Sequence, residues 1–301
     1  MSEDRVSGGR LAVAAITFDF GNTLVRVDRV GSRRVILSTA EVLRRAGVIR
    51  DEAAFLAVWA EERDRQFREE VPQFREVDVP QRAVRVLARL RGMDAPLADE
   101  RWDDAAAAEH AAAHEAELVV ETYSRAFVER IAPVPDATTM LERLAGRGFR
   151  LAVLSNWPLA RTIDRFAELQ GWLPFLQAIV VSQRVGTIKP HPLIFRAAEA
   201  ALGMEDHPGA ILHVGDDWAA DVVGAKAAGW RAAYVRGRQA DTPLPTSEPG
   251  DAMLDGAAVA ADLEIDELSE LDGHVELAAH LATHLAPAGP EPLGTEAATP
   301  A

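Results

Sequence analysis

The pattern of hydrophobic and polar positions changes once along the chain, near residues 132–135. After this point, short apolar runs alternate with segments of helical periodicity. The runs predict strands at Arg150–Leu154, Ala178–Val181, Ala210–Val214 and Ala232–Val235, with a last edge strand at Ala261–Ile265. The segments between them predict helices at 136–146, 159–170, 191–202 and 218–228, with another from about Asp266 into the 270s or 280s. Strands that alternate with helices are typical of a parallel, doubly wound α/β sheet.

Before this point the pattern is helical, apart from one apolar strand at about 12–19. The predicted helices are Arg33–Ala46, Asp51–Val71, Pro80–Leu90 and Asp103–Ile131. Because the first strand has to join the same sheet as the later ones, the helical block is an insertion after strand one. Four helices with short loops form a small bundle, and we expect this one to cover the C-terminal edge of the sheet as a lid.

We therefore expect two domains. The α/β core takes residues 11–27 and 132–281, and an inserted all-helical cap takes 28–131. Residues 239–258 are rich in Pro, Gly and Asp, which predicts an irregular excursion. Residues 1–10 and an acidic tail at 282–301 are expected to be disordered.

Composition excludes several classes of function. The 301 residues include no cysteine, which removes disulfides, thiolate catalysis and Cys-ligated zinc. Part of the net charge of −15 arises because no Lys or Arg follows Arg238, so this charge supports solubility and does not indicate a partner. No basic stripe indicates nucleic-acid binding, and no apolar run approaches the roughly 20 residues that cross a bilayer. We expect a cytoplasmic monomer or homodimer.

Polar residues follow four of the predicted strands. They are Asp19 with Thr23, Ser155-Asn156, Lys189 in a Pro-flanked loop, and Asp216 with Asp221. Each group alone has an ordinary explanation as a turn or helix-cap residue, but four at the same sheet edge indicate a site for an anion and a metal. Carboxylates on separate strands suit Mg²⁺, hydroxyl and ammonium groups suit phosphoryl oxygens, and a carboxylate beside the metal could attack phosphorus.

These segments resemble the motifs of the haloacid dehalogenase (HAD) superfamily, in the branch with a helical cap inserted after the first motif. The resemblance spans roughly residues 11–275. It is carried by Phe18-Asp19-Phe20-Gly21-Asn22-Thr23-Leu24, Leu154-Ser155-Asn156, Lys189-Pro190-x-Pro192-x-x-Phe195 and Gly215-Asp216-x-x-x-x-Asp221. The family's fold is a Rossmann-like α/β core, which agrees with the predicted sheet.

The resemblance also implies roles for individual residues. Asp19 is the nucleophile. Asp19, Asp216 and the backbone carbonyl of Gly21 bind Mg²⁺, with Asp221 in support. Ser155 and Lys189 hold the transferring group, and Thr23 and Asn156 complete the phosphate-binding set.

Gly21 departs from the family pattern, because phosphatases of the family have an aspartate at this position that protonates the leaving group and activates water. Such a group contributes about 10²–10⁴-fold to rate. Without it the protein is slow or idle, prefers acyl or aryl phosphates that leave unprotonated, or uses a stand-in acid such as His191, Asp217 or a cap residue.

We expect a Mg²⁺-dependent phosphatase that acts on a small phosphorylated metabolite through an aspartyl-phosphate on Asp19. Trp157 and Arg26 are candidate substrate contacts, and Arg26 belongs to a group of arginines that includes Arg29, Arg33 and Arg34. Two alternatives remain open. One is a 2-haloacid dehalogenase-like hydrolase, and the other is a catalytically idle protein that binds a phosphorylated ligand or partner.

Overall fold

The computed structural model describes residues 10–97, 103–237 and 241–278. Nearly all of the two ends predicted to be disordered, 1–10 and 282–301, lie outside these residues. The strands are β1 (Leu11–Val13), β2 (Ala15–Phe18), β3 (Arg150–Ser155), β4 (Ala178–Val181), β5 (Ile211–Gly215), β6 (Arg231–Val235), β7 (Leu263–Ile265) and β8 (Val275–Leu277). Six of them form one parallel sheet in the order β4-β3-β2-β5-β6-β7, which confirms the predicted α/β class.

Helices cover both faces of this sheet and fill the long connection after β2. They are α1 (Arg29–Arg45), α2 (Glu52–Glu70), α3 (Val79–Leu90), α4 (Asp104–Ala108), α5 (Ala113–Arg130), α6 (Ala137–Gly146), α7 (Ala160–Leu169), α8 (Ser182–Val185), α9 (Pro192–Leu202), α10 (Gly224–Ala227) and α11 (Leu271–His274). No helix in the described ranges is long and apolar enough to span a bilayer.

Alternation along the strands distributes the apolar side chains between two cores. In β2, Ile16 and Phe18 belong to the cluster on one face of the sheet, whereas Ala15 belongs to the cluster on the other. This is the pattern of a sheet buried on both faces. A third cluster is formed almost entirely by the inserted helices and includes Phe55 and Trp59 of α2, with Leu159 joining it from the segment after β3.

Three predicted elements are wrong in detail. The first strand is divided at Ala14, because Leu11–Val13 pair with Val275–Leu277 in a separate two-stranded sheet. The chain at 275–277 is therefore a strand, not part of the predicted C-terminal helix. The predicted helix at 218–228 is a π-helical turn, Trp218–Val223, followed by one α-helical turn.

The last cap helix is also divided, into α4 and α5. Ala112 has an extended backbone between them, with φ −64° and ψ 138°. Arg91 at the end of α3 holds this break, because its guanidinium bonds His110 O at 2.7 Å and Glu115 at 2.7 Å. The alanine-rich sequence favours a continuous helix by propensity, and these tertiary contacts override it.

The inserted helices lie over the C-terminal edge of the sheet. The segment after α2 reaches the core, where Phe74 O accepts from the Ile188 N–H at 3.1 Å and from the Thr187 hydroxyl at 2.8 Å. One cavity is lined both by cap residues and by residues that follow β2, β3 and β5. This arrangement agrees with the expected lid, while the domain limits at 27/28 and 131/132 stay a prediction.

Candidate active site

Asp19 follows β2 directly and lies at the C-terminal edge of the sheet. The chain then turns sharply, because the Leu24 and Val25 N–H groups both donate to Phe20 O at 3.0 Å. Asn22 has a φ of 59° in this turn, a conformation that Asn adopts more readily than most residues. The turn leaves Asp19 only 9% exposed, with its carboxylate on the cavity.

Lys189 joins Asp19 to the rest of the site. Its Nζ donates to Asp19 Oδ1 at 2.8 Å, to Asp221 Oδ1 at 2.7 Å and to Leu154 O at 2.9 Å. Burial alone would lower the pKa of Lys189, but the Asp19 and Asp221 carboxylates raise it above its ordinary value. The Asn156 side chain holds the lysine loop, since its Oδ1 accepts from Lys189 N at 2.6 Å and its Nδ2 donates to Lys189 O at 3.0 Å.

Asp221 and His213 form a second buried pair beside this lysine. His213 Nε2 lies 3.0 Å from Asp221 Oδ1, and His213 Nδ1 lies 2.8 Å from Thr17 Oγ1. Burial, and then the Lys189 cation, lower the pKa of His213, so the imidazole is neutral. Burial opposes ionisation of Asp221 too, but Lys189 and His213 lower its pKa. Because a carboxylate only accepts, we assign the proton to Nε2, and Nδ1 accepts from the Thr17 hydroxyl.

Asp216 follows β5 and brings a third carboxylate to the site. One oxygen each of Asp19, Asp216 and Asp221 lies within 4.8 Å of the other two. Burial, and then the charges of Asp19 and Asp221, raise the pKa of Asp216 well above its ordinary value. Burial also raises the pKa of Asp19, although Lys189 opposes this. Since one lysine does not balance three buried carboxylates, the cluster suits a divalent cation.

Three buried polar atoms at the ends of β2 and β3 have no hydrogen-bond partner among the described residues. They are Asn22 Oδ1, Thr23 Oγ1 and Ser155 Oγ. A buried polar atom without a partner costs about 1–3 kcal/mol, so such atoms are typical of a place that binds another group. An all-oxygen donor set with two free hydroxyls fits a hard cation and an oxyanion.

Gly21 lies where the family's phosphatases have their second aspartate, and a hydrophobic side chain fills the space. A Cβ built on Gly21 would lie 2.6 Å from Leu244 Cδ1 and 3.4 Å from Trp157 Cζ3. The first distance is shorter than any ordinary contact. The acid is therefore absent, and a leucine from another part of the chain lies in its place.

Leu244 belongs to a segment between β6 and β7, residues 241–247, which we name the strap. Its first half bonds the site, because the Asn22 Nδ2 donates to Thr242 Oγ1 at 3.1 Å. Its other end is held by Asp217, whose Oδ1 accepts from the Ser247 hydroxyl at 2.7 Å and whose Oδ2 accepts from Ser247 N at 3.1 Å. The irregular excursion predicted at 239–258 thus forms part of the site.

The cavity above the carboxylates has a volume of about 860 Å³, within the range of small-molecule sites. We name its core side the floor, defined by Asp19, Lys189, Asp216 and Asp221. We name its cap side the roof, defined by Trp59, Arg82 and Tyr123. Both sets line the one cavity.

The structure brings most of the predicted residues together. Trp157 lines the cavity and packs against Phe20 and Phe127, with ring centroids 5.2 and 5.0 Å apart. Arg26 is different, since it is exposed and is not among the cavity-lining residues. Of the neighbouring arginines, Arg29 and Arg33 do line the cavity.

Three groups can be considered as stand-in acids. His191 caps α9, with its Nδ1 3.3 Å from Leu193 N, and is not among the cavity-lining residues. Asp217 lines the cavity but holds the strap. Glu76 of the cap lines the cavity as well, and its Oε2 accepts from the Ser182 hydroxyl at 2.5 Å. Burial raises the pKa of Glu76, so Glu76 stays a candidate acid. Its carboxylate is, however, already hydrogen-bonded to Ser182.

Sequence reasoning missed His213, Leu244 and Arg82. A single histidine in an apolar strand, such as β5, resembles a core residue. The sequence Pro243-Leu244-Pro245 indicated only an irregular segment. Arg82 lies on a helix with two other arginines, Arg85 and Arg89, and nothing in its spacing marks it as buried.

A sequence model of the haloacid dehalogenase-like hydrolases matches residues 13–229. Among curated relatives, the ribulose-1,5-bisphosphate 5-phosphatase of Halopiger xanaduensis is 32% identical over 50% of this chain and 60% of the relative. The glyceraldehyde 3-phosphate phosphatase of Methanothermobacter thermautotrophicus is 29% identical over 50% and 63%. The haloacetate dehalogenase H-2 of Moraxella is 33% identical over 35% and 46%. The chain thus matches less than two thirds of the length of these relatives.

Solved structures share the fold across most of this chain. A 2-haloacid dehalogenase from Pseudomonas syringae pv. Tomato gives a TM-score of 0.55 at 21% identity, over 87% of this chain and 97% of the other. The HAD-hydrolase YfnB from Bacillus subtilis gives 0.51 at 20% identity, over 87% and 98%. At this level of identity the likeness shows the fold alone.

Proposed function

This chain belongs to the haloacid dehalogenase-like hydrolases, and from that membership we propose that it is a Mg²⁺-dependent phosphatase that acts through an aspartyl-phosphate on Asp19. The observation that supports this most is the floor of the cavity. Asp19, Asp216 and Asp221 have oxygens within 4.8 Å of one another, and Lys189 Nζ bonds two of the three. A cluster of this kind suits a metal and a phosphoryl group together.

In this proposal an Asp19 oxygen attacks phosphorus, and the bond from phosphorus to the leaving oxygen breaks with its electron pair on that oxygen. Water then attacks phosphorus, and the bond from phosphorus to the Asp19 oxygen breaks with its electron pair on the restored carboxylate. Inorganic phosphate leaves, and the proton lost by the water passes through solvent to the departed oxyanion. Asp19, Asp216 and the Gly21 carbonyl would hold Mg²⁺, with Asp221 in support. The bound ion would supply positive charge beside the phosphoryl oxygens.

The other floor residues orient the reacting groups. Lys189 fixes Asp19 Oδ1 and gives a positive charge next to the transferring group. Ser155 and Thr23 have free, buried hydroxyls that would donate to phosphoryl oxygens. Asn156 already uses both polar atoms of its side chain on the backbone of Lys189, so it contributes mainly by positioning that loop.

The replacement of the second acid by Gly21, with Leu244 in its space, sets the expected substrate preference. Without a proton donor, the leaving oxygen has to depart as an anion, so leaving groups of low pKa are favoured. Acyl and aryl phosphates meet this requirement and simple alkyl phosphates do not. Two relatives are named as phosphatases of ribulose-1,5-bisphosphate and of glyceraldehyde 3-phosphate. These names support the proposal that the substrate is a small phosphorylated metabolite.

The test compares kcat/KM for phenyl phosphate and for ethyl phosphate in the presence of Mg²⁺. The quantity of interest is the ratio of kcat/KM for phenyl phosphate to kcat/KM for ethyl phosphate. We expect this ratio to be at least about 10²-fold larger than in a phosphatase that has a general acid. Equal rates on both esters would contradict the absence of a working acid. Asp19→Asn is the control for contaminating phosphatase.

A dehalogenase-like hydrolase is the second candidate, and a relative named haloacetate dehalogenase H-2 is the observation that favours it. Displacement of halide by Asp19 would leave the raised pKa of Asp216 and the carboxylate cluster without a chemical role. Turnover of 2-chloropropionate that is unaffected by EDTA would support this candidate. Binding of phosphate esters without turnover of any substrate would instead support an idle, ligand-binding protein.

A further inference from the structure

Arg82 is a buried arginine of α3 that faces the cavity. It is only 3% exposed, yet it is one of the residues that line the cavity together with Asp19. Its guanidinium lies over the ring of Trp59, 5.2 Å from the centroid, and its Nε donates to Gln66 Oε1 at 2.9 Å. No other hydrogen bond and no ion pair of Arg82 is found in the described part of the chain.

A buried cation without a paired carboxylate is costly. Burial lowers the pKa of Arg82 to about 10, although this leaves it charged at neutral pH. The charges of Glu76 and Asp78 in the cap attract this guanidinium, but neither carboxylate forms an ion pair with it in the described residues. Glu76 instead accepts from the Ser182 hydroxyl at 2.5 Å, and Asp78 accepts from Gln81 N at 2.8 Å. An anion that enters the cavity would supply the missing partner.

Tyr123 of α5 adds a second donor beside the guanidinium. Its ring packs on Trp59, with centroids 5.3 Å apart, and it lines the same cavity. Its hydroxyl has no hydrogen-bond partner among the described residues. A planar guanidinium and a phenolic hydroxyl that share one aromatic support form a set that recognises carboxylate or phosphate.

We propose that the roof is an anion subsite, in which Arg82 and Tyr123 bind a second negatively charged group of the substrate. This inference rests on the proposed function and names the substrate class, which is phosphorylated metabolites with a carboxylate or a second phosphate. The phosphoryl group binds on the floor and the second anion on the roof. One cavity of about 860 Å³ accommodates both ends of such a molecule.

The experiment measures kcat/KM of the full chain with Mg²⁺ on matched pairs of aryl phosphates. Each pair consists of a phenyl phosphate with a para carboxylate, placed zero, one or two methylenes from the ring, and the corresponding uncharged carboxamide. We expect at least one carboxylate to be preferred over its amide by about tenfold to a hundredfold. Arg82→Met should reduce this ratio to about one, mainly through KM, and Tyr123→Phe should reduce it several-fold.

Arg85→Met is the matched control, because Arg85 lies on the same helix, is 6% exposed and pairs with Asp104 at 2.8 Å. It is not among the residues that line the cavity, so its carboxylate preference should match that of the unchanged protein. Arg82→Gln, which removes the charge, and Tyr123→Phe keep the test decisive if Arg82→Met fails to fold. An unchanged ratio in both of these would overturn the subsite.

Failure of the proposed function gives a different result from failure of the subsite. If no ester of any pair is hydrolysed, the phosphatase proposal fails, and calorimetric titration of the same pairs into the unchanged protein and Arg82→Gln tests the subsite directly. Tighter binding of the carboxylate, lost in the variant, supports it. Equal binding of carboxylate and amide overturns it, as does turnover of both esters with equal kcat/KM.

Discussion

The floor and the roof of the cavity differ in charge and in how their polar groups are paired. The floor concentrates charge, and its groups bond one another, as Lys189 does with Asp19 and Asp221 at 2.8 and 2.7 Å. The roof is mostly aromatic, and its one buried cation, Arg82, has a single side-chain amide as its hydrogen-bond partner. The difference supports separate roles under the proposed function. The floor would perform a step that is the same for every substrate, and the roof would distinguish between substrates.

The largest expected effect breaks the floor and leaves the roof intact. Asp19→Asn removes the nucleophile without changing the size of the side chain, so activity on every phosphate ester should fall about 10³-fold or more. The carboxylated and uncharged aryl esters should lose activity by the same factor, since the roof does not change. Steady-state kinetics on both esters measures this. A loss confined to one ester would contradict the division between floor and roof.

Metal removal is expected to have the next largest effect. EDTA should lower the phosphatase rate by about 10²-fold or more, and Mg²⁺ should restore it. Thermal unfolding reports metal binding without turnover. A ligand at 100 times its Kd stabilises the folded state by about 2.7 kcal/mol. We therefore expect Mg²⁺ to raise Tm.

Asp216→Asn is the matched variant for this measurement. It should abolish the rise in Tm with Mg²⁺, because the cluster then has one carboxylate fewer. Arg82→Lys on the roof should leave that rise unchanged. A rise in Tm that survives in Asp216→Asn would place the metal away from the predicted floor.

The floor could be predicted because each of its members is encoded by local sequence. A strand that ends in Asp19, or in Gly215-Asp216, places its carboxylate at the sheet edge whatever the rest of the chain does. Gly215 itself is dictated by close packing, since a Cβ there would lie 2.1 Å from Asp221 Oδ2. Parallel pairing of β2 with β3 and β5 then brings the three strand ends together.

The roof and the strap could not be predicted, because their contacts join distant parts of the chain. Arg82 meets Trp59 and Tyr123 only after three helices have packed. Leu244 reaches Gly21 from a loop more than two hundred residues later in the chain. Neither contact leaves a periodic pattern in the sequence. Gly21 shows directly that the acid is absent, but nothing in the sequence indicates that Leu244 takes its place.

Restoring an acid at residue 21 is expected to change the rate less than metal removal does. Gly21→Asp alone should give only part of the gain, because the new Cβ would lie 2.6 Å from Leu244 Cδ1 and the leucine side chain would have to move aside. The double variant Gly21→Asp with Leu244→Ala removes that collision. We expect it to hydrolyse ethyl phosphate about tenfold to a hundredfold faster than the unchanged protein, which is at or below the lower limit of the roughly 10²–10⁴-fold that a well-placed general acid contributes.

Two controls separate chemistry from space in this experiment. Leu244→Ala alone opens the cavity without an acid, and Gly21→Asn with Leu244→Ala adds the same volume without a proton to donate. Neither should accelerate ethyl phosphate hydrolysis. If the asparagine variant were as fast as the aspartate variant, the gain would come from the opened cavity and the missing acid would not explain the substrate preference.

The smallest expected effect tests the strap, which bonds the turn after β2 and the start of α1. Thr242 bonds Asn22 Nδ2 at 3.1 Å and accepts from Leu244 N at 3.2 Å, while the neighbouring Asp241 O accepts from Arg29 N at 3.2 Å. Thr242→Val keeps the shape and deletes both hydroxyl bonds, so Leu244 should be held less firmly over Gly21. We expect the free energy of unfolding to fall by about 1 kcal/mol and kcat to change less than tenfold.

The carboxylate-to-amide ratio should stay constant, because Arg82 and Tyr123 do not contact the strap through any hydrogen bond in the described residues. A shift of that ratio in Thr242→Val, measured on the same aryl pairs, would mean that strap and roof select the substrate together.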